Sequence, residues 1–186
     1  FRINTYTENE QAKPNFALLK NGNVVIVWQS LGQDGDGNGV YGKILNPKTQ
    51  KVILSEFQIN DYTNSAQYLP KVAHLRDGEV IVTWTSEGND GSDYGIFAKI
   101  FDPAVGPEAN TEFQINAYTS ATQSVSDVIA LTNGNFFLVW NSWFQDGSEY
   151  GIFATIINPE GQIVVPEFQV NATSDSDQVF PRALSL

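Results

Sequence analysis

Three short loops carry the residues whose types and spacing best suit chemistry. They read Gln33-Asp34-Gly35-Asp36-Gly37-Asn38-Gly39, Asn89-Asp90-Gly91-Ser92-Asp93-Tyr94-Gly95 and Gln145-Asp146-Gly147-Ser148-Glu149-Tyr150-Gly151. Oxygen-bearing side chains spaced by glycines can present ligands to Ca²⁺, a hard cation that takes roughly six to eight oxygens. The candidate ligands are Asp34, Asp36 and Asn38, then Asp90, Ser92 and Asp93, then Asp146, Ser148 and Glu149. No copy has the closing glutamate of an EF-hand loop. Turn chemistry accounts for the same residues, because Asp accepts backbone N–H bonds and Gly supplies positive φ.

A second constellation is built of amides. Gln11, Gln67, Gln123 and Gln178 each follow Asn4, Asn60, Asn116 and Asn171 by seven positions. Amides beside aromatic rings can hydrogen-bond and stack on sugars, so these glutamines and Trp143 are candidate glycan contacts. The same amides can instead tie a loop to a neighbouring backbone. Trp143 stands apart because Leu31 and Glu87 occupy the equivalent positions. His74 is the chain's one histidine, with Leu18 and Ala130 at its equivalents, and a lone strand histidine is weak support for a catalytic triad. No catalytic residue is assigned, and an enzyme is not expected. Asn171-Ala172-Thr173 matches the N-glycosylation sequon, which the other three copies lack.

Ten basic residues against 21 acidic ones give a net charge of −11. That balance excludes a nucleic-acid surface, which needs clustered Lys and Arg to neutralise phosphate. The absence of Cys excludes disulfides and thiolate metal sites. No apolar run approaches the ~20 residues of a membrane-spanning helix.

The elements that position these residues recur with a tandem period. Phe1-Arg2-Ile3-Asn4, Phe57-Gln58-Ile59-Asn60, Phe113-Gln114-Ile115-Asn116 and Phe168-Gln169-Val170-Asn171 mark units 1–56, 57–112 and 113–167, with a partial unit 168–186. Trp28, Trp84 and Trp140 keep the same interval. A period of this size points to stacked supersecondary units. Each unit has a first apolar run (16–19, 72–75, 128–131) and a second (24–30, 80–86, 136–142). A third follows (40–45, 96–101, 152–157), and the phrase itself is read as a fourth, half-exposed edge strand. Asn21-Gly22, Asp77-Gly78 and Asn133-Gly134 predict type I′ hairpins between the first two runs. The central runs are apolar on both faces, as expected for sheets sandwiched between neighbours. Gly42, Ala98 and Ala154 are small residues where adjacent sheets would approach. The expected fold is all-β, a β-propeller-like array of four-stranded antiparallel blades, with a β-trefoil-like or open repeat array as the alternative.

The motifs Gly78-Glu79-Val80-Ile81-Val82-Thr83-Trp84-Thr85-Ser86, Asp90-Gly91-Ser92-Asp93-Tyr94-Gly95-Ile96-Phe97 and Glu112-Phe113-Gln114-Ile115-Asn116 carry a resemblance. They resemble tandem repeats of very large secreted or surface proteins of bacteria, cyanobacteria and ciliates, often found beside haemolysin-type calcium-binding modules. The resemblance implies an extracellular or cell-surface location and a non-enzymatic structural or adhesive role. It also favours calcium at Asp34, Asp90 and Asp146. Because the chain begins and ends in the same register, head-to-tail self-association into a fibre is expected, with other surface components as further partners. A multivalent carbohydrate-binding module is the alternative.

Overall fold

The computed structural model describes residues 1–75 and 78–184; Asp77, expected in the second hairpin, lies outside the described residues. Twelve strands form three four-stranded sheets, each a simple antiparallel meander. Blade 1 comprises β1 (Gln11–Leu18), β2 (Val24–Leu31), β3 (Asn38–Leu45) and β4 (Val52–Gln58). Blade 2 comprises β5 (Gln67–His74), β6 (Val80–Glu87), β7 (Tyr94–Phe101) and β8 (Phe113–Gln114). Blade 3 comprises β9 (Gln123–Ala130), β10 (Phe136–Trp143), β11 (Tyr150–Ile157) and β12 (Ile163–Gln169).

The first strand of each blade lies innermost: β1 packs on β5 and β5 on β9, while β2 and β3 also face β5. Two apolar layers result. One joins Val25, Val27, Ile44 and Ile59 of blade 1 to Val80, Val82, Trp84 and Phe101 of blade 2. The other joins Ile81, Ile96, Ala98 and Ile115 to Phe136, Leu138, Trp140 and Ile157. A blade covered on both sides should lose its inside–outside alternation. In β6, Val80 to Ser86 are all buried. Such packing of sheet on sheet around inner strands is the β-propeller-like architecture expected from the repeats.

Several local expectations are corrected. The first strand begins well before the apolar run, at Gln11, Gln67 and Gln123. A bulge hides its start: Lys13 and Leu69 have φ of 53° and 54°, and the register with β2 and β6 shifts there. The first and third hairpin turns are not type I′, since Asn21 and Asn133 do not have positive φ. Gly22 donates to the Leu19 carbonyl at 2.9 Å with φ of 79°, a type I turn closed by a left-handed glycine. The phrase supplies only the end of the fourth strand: Phe57-Gln58 finish β4, while Ile59 and Asn60 run on beyond it. Asn60, in the phrase read as half-exposed, is buried. Gly42 accommodates its own sheet, since an added Cβ there would lie 2.7 Å from the Phe57 ring across the β3–β4 ladder.

Candidate functional site

At the end of each sheet where the inner strand begins, the second strand stops, the third starts and the linker from the preceding blade arrives. The candidate metal, glycan and glycosylation residues lie at this rim.

The repeated Asn and Gln form a latch. Asn4, Asn60, Asn116 and Asn171 donate through Nδ2 to the Oε1 of Gln11, Gln67, Gln123 and Gln178, at 3.0, 3.0, 3.1 and 2.9 Å. Asn60, Asn116 and Asn171 accept, through Oδ1, the N–H of Val40, Ile96 and Ile152, each at 2.7 Å. The Nε2 of Gln67 and Gln123 donates to the carbonyls of Asn64 and Ser120. Gln67 and Gln123 are fully buried and present no surface to a sugar. They join the outer strand of one blade to the inner strand of the next. Asn171 uses Nδ2, the atom a glycan would need, to bond Gln178 and the Thr173 carbonyl at 2.7 Å.

The acidic loops fold inward in a related way. Asp34 accepts from Asn60 Nδ2 at 3.2 Å, and Asp146 from Asn171 Nδ2 at 3.3 Å. A Cβ added at Gly95 or Gly151 would lie 2.5 Å from Oδ2 of Asp90 or Asp146, which is why each loop closes on glycine. Burial raises the Asp34 carboxyl above the usual carboxylate range, against the opposing pull of the Asn60 bond. Asp36 accepts from the N–H of Gly37 at 2.9 Å and of Ser65 at 3.0 Å. Ser92 and Ser148 use their N–H on Asp90 and Asp146. Asn38 pairs with Leu31 at the rim, and Asp93 and Glu149 point to solvent. Asp34 Oδ1 and Asp90 Oδ2 are buried without a protein partner, yet each stands alone. Among the described residues no three His, Cys, Asp or Glu side chains come together. In the third loop Asp146 Oδ2 accepts from Gln169 Nε2 at 3.1 Å as well as from Asn171.

Sequence reasoning missed Glu56, Glu112 and Glu167, which recur at one register. Glu112 accepts the N–H of Asp61 at 2.6 Å and of Tyr62 at 3.2 Å, and the Asn89 side chain at 2.8 Å. Their recurrence immediately before the Phe of the phrase was the available signal.

Where the repeat breaks, the rim becomes aromatic. Trp143 and Tyr150 face each other on the last rung of β10–β11, with ring centroids 4.7 Å apart. Phe144 follows, 5.2 Å from Trp143 and 53% exposed. The corresponding rung of blade 1 pairs Leu31 with Asn38, and that of blade 2 pairs Glu87 with Tyr94. Leu31 remains 38% exposed although blade 2 packs beside it, so this rung is a surface position in the architecture. His74 ends β5 at the opposite end of the sheet, opposite Val80.

No family model matches the chain, and no curated protein matches it. Solved structures do share its fold. An α-L-arabinanase from Penicillium chrysogenum, complexed with arabinobiose, superposes with a TM-score of 0.60 at 11% identity, over 90% of this chain and 52% of that one. A thermostable family-43 glycoside hydrolase gives 0.58 at 12%, over 96% and 63%. An endo-1,4-β-xylanase from Bacteroides thetaiotaomicron gives 0.57 at 10%, over 88% and 60%. The fold is that of a β-propeller. This chain spans between about half and two thirds of the length of those three proteins. The expectation of a structural and adhesive module assembling head to tail into a fibre is overturned: the structures that share its architecture are carbohydrate-active enzymes.

Proposed function

We propose that this chain is a carbohydrate-recognising propeller segment whose contact surface is the aromatic rim of blade 3. The observation that carries this reading is the Trp143–Tyr150 rung with Phe144 beside it, placed where the other blades hold Leu31 with Gly32 and Glu87 with Gly88. Sugars bind through two features, an apolar face of C–H groups and a rim of hydroxyls. Indole and phenol rings meet the first, and their N–H and O–H groups, with nearby carboxylates, meet the second. The arabinan- and xylan-directed proteins of the same fold support the same class of ligand.

Recognition is the activity proposed for this segment, which spans between about half and two thirds of the length of the hydrolases that share its fold. Cleavage of a glycosidic bond takes a pair of carboxyl groups flanking it. The inner strands β1, β5 and β9 carry one carboxylate, Asp127. Its oxygens accept the N–H of Val128 and of Ala183, each at 3.1 Å.

Affinity electrophoresis in gels containing arabinan, xylan or glucan tests the proposal. The chain should be retarded by at least one of them, and Trp143→Ala should run freely in the same gel. Equal mobility of the two proteins in every gel would contradict it.

A further inference from the structure

We infer that the contact surface continues from blade 3 across the blade boundary to Tyr94 and Tyr68, and that it takes an extended, uncharged polysaccharide chain. The inference rests on the carbohydrate-binding reading and adds to it the length and charge of the ligand.

Geometry gives the length. In blade 2 the Tyr68 and Tyr94 rings lie 6.3 Å apart at the same rim, forming a second aromatic pair beside the Trp143–Tyr150 pair. One residue links the two. Thr122 forms a parallel bridge with Tyr94, and its carbonyl accepts the N–H of Trp143 at 2.9 Å. The backbone therefore holds both pairs against a common residue and fixes their spacing without a flexible linker. At the corresponding junction between blades 1 and 2 those positions hold Asn38, Ala66 and Glu87, and Tyr68 is replaced by Ala12. The aromatic strip is thus a departure from the repeat at one junction, not a consequence of the fold. Two stacking platforms on a rigid frame suit a chain of sugars, because the second contact is made without a second association cost.

Charge gives the class. Glu87 is paired with Tyr94 in register, Asp93 and Glu149 are exposed beside Tyr94 and Tyr150, and Asp177 accepts the Tyr150 N–H at 3.2 Å. Segments 61–70, 86–98, 117–150 and 172–181, which build the rim, contain no Lys or Arg. A polyuronate or sulfated glycan would bring like charge onto these carboxylates, and the cation that reaches segment 61–70, Lys99, is already paired with Asp61 at 2.6 Å. A neutral sugar offers hydroxyl donors to the same oxygens. Burial first, and then Glu87, raise the Tyr68 phenol above its ordinary pKa, so it stays a neutral donor.

Isothermal titration calorimetry on the whole chain tests this with hexamers and dimers of xylan, arabinan and glucan, and with hexagalacturonate as the anionic probe. The best uncharged hexamer should bind at least about tenfold more tightly than its dimer. Tyr94→Ala should weaken the hexamer about tenfold, whereas Tyr94→Phe should retain hexamer affinity. Hexagalacturonate should not bind. If the dimer binds as tightly as the hexamer and only Trp143→Ala matters, the extended strip is overturned while carbohydrate binding stands. Tight binding of hexagalacturonate overturns the uncharged class. Silence toward every uncharged hexamer overturns both the inference and the reading beneath it.

Discussion

Phe144 occupies a backbone conformation that its counterparts leave to glycine. Gly32 and Gly88 have φ of 72° at this register, and Phe144 has 62°. A side chain with a Cβ in the left-handed region costs about 1–2 kcal/mol, and such strain concentrates at functional sites. Position 144 therefore spends stability to present an exposed ring beside Trp143. Comparing Phe144→Gly with Phe144→Ala isolates the backbone term, since both remove the ring. The glycine variant should be the more stable by about 1 kcal/mol in urea unfolding. Equal midpoints would show that the backbone is not strained there. At this scale the site was partly legible. Trp143 is visible as a break in the repeat, and aligning the copies places Phe144 against Gly32 and Gly88. Tyr94 and Tyr150 stand in the loop sequences, but a linear reading cannot show that their rings turn toward Tyr68 and Trp143.

Between elements, the Asn–Gln latch does what the repeated motif suggested only obscurely. Asn116 is 4% exposed, accepts the Ile96 N–H and donates to Gln123 and the Tyr118 carbonyl. One side chain thereby ties β7 to the linker and to the first strand of the next blade. Asn116→Ala leaves the buried Ile96 N–H and the Gln123 amide without partners, and should cost about 2–4 kcal/mol. Asn171→Ala, whose Gln178 partner lies nearer solvent, should cost about 1 kcal/mol. Equal and small losses at both positions would refute the latch. The strands themselves were unevenly legible. β2 and β3 stand out because apolar β-branched and aromatic residues fill both faces. β1 and β5 read too short in the sequence because the bulge at Lys13 and Leu69, followed by Pro14 and Pro70, breaks the period-two pattern. The fourth strand was placed too late in the sequence. Val52 and Ile53 are exposed, and the conspicuous phrase lies at the strand's end, where it turns into the latch.

For the whole molecule, the repeat and the doubly apolar central strands sufficed to predict stacked four-stranded blades, and the fold bears this out. The proposed role does not follow from the repeat, because the repeated residues hold blades together and the aromatic surface lies where they differ. The acidic balance has a second consequence. Loop carboxylates that already accept N–H donors gain little from a dication, so calcium should leave the thermal midpoint unchanged, and EDTA likewise. A rise of several degrees on adding calcium would demand a site that binds the folded chain. The central claim is that the aromatic rim of blade 3 binds carbohydrate, and the four tryptophans test it directly. Trp28, Trp84 and Trp140 are buried, with at most 4% exposure, and Trp143 alone stands at the rim. In a ¹H–¹⁵N spectrum titrated with uncharged xylan, arabinan or glucan hexamers, the Trp143 indole resonance should shift saturably while the other three stay in place. An unmoved Trp143 resonance across all three titrations would contradict the account.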